Sequence, residues 1–384
     1  MESNDLIEHK LTSSGIVFDL PHVSEGAPQR ESTRPELYFP LFDWLRITLA
    51  LTVVLAHAEL VRVANIANFA VQVFFSLSGW LIGGILLRTE PADLIRFYYR
   101  RATRIWIPYA VALGLLLAVS LLRDRVTSKY CEFVFYKATF VYNLFGTSQL
   151  SANQQDMPLQ ATGNHFWSVC AEEQFYLVAP LLLVMGPQTR WMFWFRLTAL
   201  ILLCLLGPYG SIAAGVLCAM LVHKYGTWHS HAIGRMLIAL IGFASGGLIL
   251  TNSLSYPMAA PLVATPIVLL LAQSGAKQRI AAFLGGVSYP LYLNHWLGLF
   301  IAHSIAKRLA LNDVTATIWI GLPLAIGISV LLYLAVDAQI IKRRSKWYTD
   351  RLGELTTFAA FALMIVGLLG AAYFHGGFRS IYAN

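Results

Sequence analysis

The chain holds 384 residues, 57% of them hydrophobic and 12% charged, with a formal net charge of +8. A soluble globular protein carries about 25% charged residues, so this composition excludes an ordinary cytosolic enzyme, a disordered chain and a disulfide scaffold. What remains is an all-α, polytopic integral membrane helix bundle, with room for about 10–11 transmembrane helices at roughly 20 apolar residues each.

Residues 1–38 hold seven acidic and three basic side chains and no sustained apolar run. They predict a polar, disordered tail left in the cytoplasm rather than a signal peptide. Apolar stretches then recur at 39–60, 68–87, 105–122, 166–186, 195–207, 211–223, 236–252, 258–273, 288–306, 314–338 and 355–374. The pair at 195–223 is nearly continuous, divided only by Gly207, Pro208 and Gly210, a turn signal. The longest outside loop is 123–165. Its stretch CEFVFYKATFVYNLFG is too short and interrupted to span and reads as an interfacial or re-entrant segment. With the N-terminus inside, 19 Lys and Arg fall in cytoplasmic segments and 8 outside, which sets an N-in, C-out arrangement. The same distribution makes the basic charge a topology signal and excludes a nucleic-acid surface. Cys131, Cys170, Cys204 and Cys218 have neither zinc nor disulfide spacing and read as packing residues. Repeats at a fixed period and the paired broken helices of many transporters are absent.

Ionisable groups inside a membrane are costly, so they mark candidate sites. In FDWLRITLALTVVLAHAEL, Arg46 and His57 are eleven residues apart. That places them on one helix face, separated by a rise of about 16 Å, with Asp43 about 40° off the line. Either Arg46 and Asp43 reach for the inner interface and His57 for the outer one, or the three form a polar stripe along a cavity. In the second case a neutral imidazole serves as general base. In FYYRRATRIWIP, Arg100, Arg101 and Arg104 share a helix face by their spacing of three and four. They read either as a positive-inside signal or as a phosphate clamp, since guanidinium forks match phosphate oxygens. Glu172 and Glu173 open a span that is otherwise apolar; either at least one of them faces a polar cavity or stays protonated by burial, or the two form an interfacial pair in contact with water. Ser288, Tyr289, Asn294 and His295 decorate the start of the 288–306 span, where a lone His is more often a packing hydrogen bonder. Asp337 precedes Lys342, Arg343 and Arg344 and could pair with them. FFSLSGWLIGG is adequately explained by close helix packing.

Five of these segments, in order, resemble the signatures of the acyltransferase-3 family, the multi-span membrane O-acyltransferases of bacteria. FDWLR followed by ten residues and then His57 resembles its Arg-ten-residues-His signature. FFSLSGWLIG is similar to its second-span signature, and YYRRATRIWIP to its RxxR loop. HFWSVCAEEQFYL is similar to its WSLxxEEQFYL motif, and VSYPLYLNHW to its SYxLYLxH motif. The resemblance covers roughly residues 38–340. It implies His57 as catalytic base with Arg46 as essential partner, and Glu172 arranging the acceptor or His57. It also implies Arg101 and Arg104, with Arg100 beside them, on the phosphates of a cytoplasmic acyl-CoA. His295 matches the late histidine, and with Asp43, Glu173 and Tyr289 it is assigned to a substrate channel. Two departures stand out: Asp337-Ala338-Gln339 replaces the usual glutamate–proline ending of the tenth span, and the outside loop near 207–211 is short.

The resemblance therefore implies transfer of an acyl group, by default acetyl, from acyl-CoA to a hydroxyl of a cell-surface or lipid-linked carbohydrate. The enzyme would sit in the bacterial inner membrane, among lipids, with no metal and no permanently bound cofactor. The base could act directly or carry the acyl group transiently. With no hydrolase-like domain expected after the eleventh span, either the membrane part completes the transfer or a separate periplasmic transferase does. The domain division expected is a tail at 1–38, a membrane acyltransferase domain at 39–340, and a cytoplasmic basic loop with an extra C-terminal helix at 341–384. The competing readings are a transporter or flippase of a lipid-linked glycan, and a non-catalytic scaffold or sensor.

Overall fold

A computed structural model describes residues 38–185, 190–205, 209–251, 253–310 and 312–374. The tail before residue 38, the Gly207-Pro208 turn and the Cys204 side chain lie outside the described residues. Each of the eleven apolar stretches coincides with a helix. These are α1 (Pro40–His57), α2 (Ile66–Leu86), α3 (Leu94–Leu121), α4 (Trp167–Leu183), α5 (Arg190–Leu205) and α6 (Gly210–Tyr225). They continue with α7 (Ala232–Leu250), α8 (Tyr256–Leu271), α9 (Arg279–Leu309), α10 (Val314–Trp347) and α11 (Asp350–Phe374). Among the described residues, six helices are long and apolar enough to cross a membrane. The others are short, like α6 and α8, or carry polar groups that face the interior, like α4 and α9. The chain is a polytopic helical membrane protein.

Successive helices run in opposite directions, as contacts at their ends establish. At one end of the bundle Gly275 N–H donates to Tyr38 O at 2.9 Å, and His229 Nε2 lies 3.3 Å from Ala272 O. At the other, Tyr256 OH donates to Asn68 Oδ1 at 2.8 Å, and the ring of His57 lies beside that of His165. The basic segments at 88–104 and 342–351 are largely helical rather than loops. Arg and Lys are good helix formers, and α3 and α10 extend through them. Tyr99 OH bonds Arg344 O at 3.1 Å and ties the two together.

The packing of α2 on α6 follows from its glycines. A Cβ on Gly79 would sit 2.1 Å from Ile212 O, and one on Gly215 would sit 2.2 Å from Ser76 O. Only hydrogen at these positions lets the two backbones meet, which is the small-residue contact expected of membrane helices. α11 is no appendage: Gly353 rests on Ile95 of α3, and Gly367 on Thr139 and Val141.

The 123–165 segment does not span. Thr127 caps the helix Ser128–Ala138 by accepting from Tyr130 N–H at 3.0 Å, and short helical turns follow. Tyr136 and Phe135 pack against Phe374 at the end of α11, so the segment closes one end of the bundle. Of the cysteines, Cys170 is buried, whereas Cys131 lies exposed on this cap and does not pack. Within the cap, Lys137 is 1% exposed; its Nζ donates to Gly163 O at 3.2 Å and lies 3.2 Å from the Tyr142 ring centroid. Burial pushes its ammonium down to about 7, against an ordinary value of 10.5. Between those values the unfolded chain binds a proton that the folded chain lacks, so stability rises with pH across the window. Lys137→Met should raise the unfolding midpoint of the detergent-solubilised protein at pH 7 by roughly 1 °C per kcal/mol of charge burial relieved. It should also flatten the climb of that midpoint toward pH 9. Parallel curves for the two proteins would refute this.

Candidate active site

Six helices, α1, α2, α3, α4, α9 and α10, line a cavity of about 140 Å³. Arg46, Arg101, Arg104, Glu172 and Asp337 all line it. Each is held by a local device. Arg46 Nη1 pairs with Asp43 Oδ1 at 2.9 Å, and Asp43 in turn accepts from Tyr38 OH. Asp43 fits because α9 presents Gly285 there; a Cβ would lie 2.6 Å from Asp43 Oδ1. The Arg101 guanidinium lies over the rings of Phe97 and Tyr176, 5.7 and 5.8 Å from their centroids. Glu172 accepts from Ser78 Oγ at 2.5 Å and from Tyr176 OH. Asp337 ends a widened π turn, Tyr333–Asp337, which turns both of those residues into the cavity. Two polar atoms on these walls, Arg101 Nε and Tyr289 OH, are buried without a protein partner. Such groups cost about 1–3 kcal/mol each unless a ligand or water meets them.

The cavity ends at Ser168 and Tyr292. Their hydroxyls are 2.6 Å apart, and Tyr292 OH donates to His165 O at 2.8 Å. Beyond this closure stands a cluster of three imidazoles. His57 Nδ1 lies 2.9 Å from His295 Nε2 with the rings stacked at 5.1 Å. His165 has its ring centroid 4.9 Å from that of His295 and 6.2 Å from that of His57. His165 Nε2 donates to Leu293 O at 3.2 Å. His165 and His295 are buried, while His57 is exposed at the end of α1. Among the described residues no group of His, Cys, Asp and Glu forms a metal site.

Arg46 and His57 thus both face α9, but at different levels. Arg46 lines the cavity, and His57 stands past the Ser168–Tyr292 closure, so no contact joins them. Asp43 sits behind Arg46 rather than in the cavity lining. Of the arginine trio, Arg101 and Arg104 reach the cavity, and Arg100 does not. The inward face of α3 runs through residues 101, 104, 105 and 108, and Arg100 is rotated off it. The two glutamates part in the same way: Glu172 faces the cavity, while Glu173 is buried against α3 and accepts from Trp106 Nε1 at 2.8 Å. Tyr289 lines the cavity. His295 does not; it bonds His57, so it is more than a packing residue of α9. Asp337 faces the cavity, which Arg104 also lines. His165, Ser168, Tyr176, Tyr292, Tyr333 and Ser78 escaped sequence reasoning. Ser78 lies in the stretch explained by packing alone, and His165 directly precedes the Phe166-Trp167 pair and could have been read as part of that motif.

A family model described as an acyltransferase domain, that of the acyltransferase-3 family, matches residues 39–334. The chain belongs to this family. Among curated proteins it is 28% identical over 163 residues to YrhL of Bacillus subtilis, whose name assigns it provisionally to peptidoglycan O-acetylation. It is 28% identical over 164 residues to the O-acetyltransferase OatA of Staphylococcus aureus. These matches cover 40% and 38% of the chain but 25% of each relative. An uncharacterized Haemophilus influenzae protein is 28% identical over 125 residues, which is 30% of the chain and 49% of that protein. No solved structure matches. The acyltransferase-3 match contains all three histidines and every charged cavity residue except Asp337, and α11 lies beyond it.

Proposed function

We propose that the chain moves an acyl group, acetyl by default, from acyl-CoA to a hydroxyl of a cell-surface or lipid-linked carbohydrate in the bacterial inner membrane. The observation that carries this reading is the pairing of an arginine-bearing cavity, with Arg101 Nε and Tyr289 OH unpartnered on its walls, with an exposed imidazole past its far end. The excess of Lys and Arg at the Pro40 end of the bundle supports that end as cytoplasmic. Arg101 and Arg104 are then the phosphate ligands, and the pantetheine arm runs along α1. The Arg46–His57 rise of about 16 Å suits an extended chain of that kind. The names of the relatives from Bacillus and Staphylococcus support acetyl as the group and a carbohydrate as the acceptor.

In the reaction, His57 takes the proton of the acceptor hydroxyl as its oxygen attacks the thioester carbonyl. The new O–C bond forms, the C–S bond breaks, and the CoA sulfur leaves with the proton. Arg46 lines the path of the arm, and Glu172 is held by Ser78 and Tyr176 where it can bond the arm's amides. Ser168 and Tyr292 must part for the thioester to pass. A separate periplasmic transferase could take the product onward. The test is mass spectrometry of surface glycans from strains with and without the protein, beside CoA-thiol release by the purified protein given acetyl-CoA and muropeptides. An acetyl mass increment that depends on the protein is expected. Identical glycans together with no thiol release would end the proposal.

A further inference from the structure

The hydrogen-bond chemistry of the histidine pair determines which nitrogen of His57 is basic. His295 Nδ1 lies 2.9 Å from Tyr292 O and 3.2 Å from Leu291 O. Carbonyl oxygens only accept, so Nδ1 of His295 carries a hydrogen. A neutral His295 then has its lone pair on Nε2, and the atom facing that lone pair is His57 Nδ1, 2.9 Å away. His57 Nδ1 must therefore be the donor. The reverse arrangement would require His295 to be protonated on both nitrogens, with its ring 2% exposed and two histidines beside it. The lone pair of His57 is left on Nε2, pointing away from the pair.

We infer that His295 is the positioning residue for His57: it accepts the His57 Nδ1–H bond, fixes the tautomer whose Nε2 is free for the acceptor, and holds the ring as it gains charge. This rests on the reading of His57 as the base. When Nε2 takes the acceptor's proton, His57 becomes an imidazolium whose Nδ1–H already points at the His295 lone pair. The pair shares that proton, and the two backbone carbonyls of α9 stabilise the charge that reaches His295. The proton leaves with the CoA sulfur, and both rings return to neutral. An imidazole here fills the place an aspartate fills in hydrolase triads, without placing a carboxylate against His57. His165 holds the assembly from the third side, since its bond to Leu293 O ties the start of α4 to the turn of α9 that carries His295.

The experiment uses the full-length protein in lipid vesicles with acetyl-CoA and muropeptides, and compares four variants. His295→Leu removes the acceptor and should lower kcat about 10³-fold with KM for acetyl-CoA within about twofold of wild type. His295→Gln presents Oε1 the same number of bonds from Cα as Nε2, and should retain activity to within about tenfold of wild type. His57→Ala with His295→Leu should be no slower than His57→Ala alone, because the two act as a unit. Nitrogen-15 spectra of labelled histidine, assigned by loss of a signal in His57→Ala, should show His57 as the Nδ1–H tautomer in the wild type and not in His295→Leu. Unchanged kcat in His295→Leu, a Gln variant as slow as the Leu variant, additive losses in the double variant, or an Nε2–H tautomer at His57 would each overturn the inference. If the wild type itself releases no CoA, the proposed reaction fails, and the spectra alone still decide the tautomer.

Discussion

Replacing His57 with alanine, in cells that make normal amounts of the protein, removes acylation of the surface glycan, with kcat down about 10³–10⁴-fold. The size of the effect follows from the position of the residue. His57 is exposed at the end of α1, but its removal leaves the buried His295 Nε2 without its partner, at a cost of about 1–3 kcal/mol. Loss of proton transfer is therefore told from loss of folding by the protein level and the unfolding midpoint. KM for acyl-CoA should change little, since the ring lies past the closure that ends the donor cavity. The check is glycan mass spectrometry beside an immunoblot and an unfolding midpoint. Acylation at the wild-type level in His57→Ala would take the imidazole out of the reaction and leave the cavity without a base.

Arg101→Ala combined with Arg104→Ala acts on the opposite half of the reaction. Charge-assisted hydrogen bonds to phosphate are worth about 1.5–3 kcal/mol each, so losing two should raise KM for acyl-CoA by at least about 10²-fold while glycan affinity is unaltered. The guanidinium of Arg101 is held over Phe97 and Tyr176 before any ligand arrives, so little ordering entropy is spent on binding. Removing both cations also changes the charge of the cavity lining, which keeps Arg46, Glu172 and Asp337. The paired lysine variants, which keep the charge, separate that effect from lost phosphate contacts. Arg100→Ala, on the same helix but outside the cavity, should shift KM by less than about twofold. Titration of acetyl-CoA into the purified variants measures all three; equal affinity in wild type and the double alanine variant would return the pair to a topology role.

The extent to which the site could be read in advance differs residue by residue. Arg46 and His57 could be placed on one face of α1 by counting turns, because a helix repeats its angle wherever it forms. The same arithmetic put Arg100, Arg101 and Arg104 together, yet only two of them enter the cavity. Which way the face of α3 turns depends on α4 and α10, and a single helix carries no information on that. Glu172 and Glu173 show the limit most plainly. Adjacent carboxylates are equivalent as a sequence pattern; packing sends one to Ser78 and Tyr176 and the other to Trp106.

By itself the sequence determined the membrane class, the positions of the apolar helices among the described residues, and the set of polar residues that needed an interior to face. Hydrophobic length and the cost of charge in hydrocarbon are local properties, written in each span. The tertiary structure alone decided that His57 meets His295 rather than Arg46, that His165 joins them, and that Ser168 and Tyr292, bonded to each other, line the arginine-bearing cavity next to His165. Those pairings link residues more than a hundred positions apart, and they depend on the tilt and rotation of whole helices, which packing sets and no single span encodes.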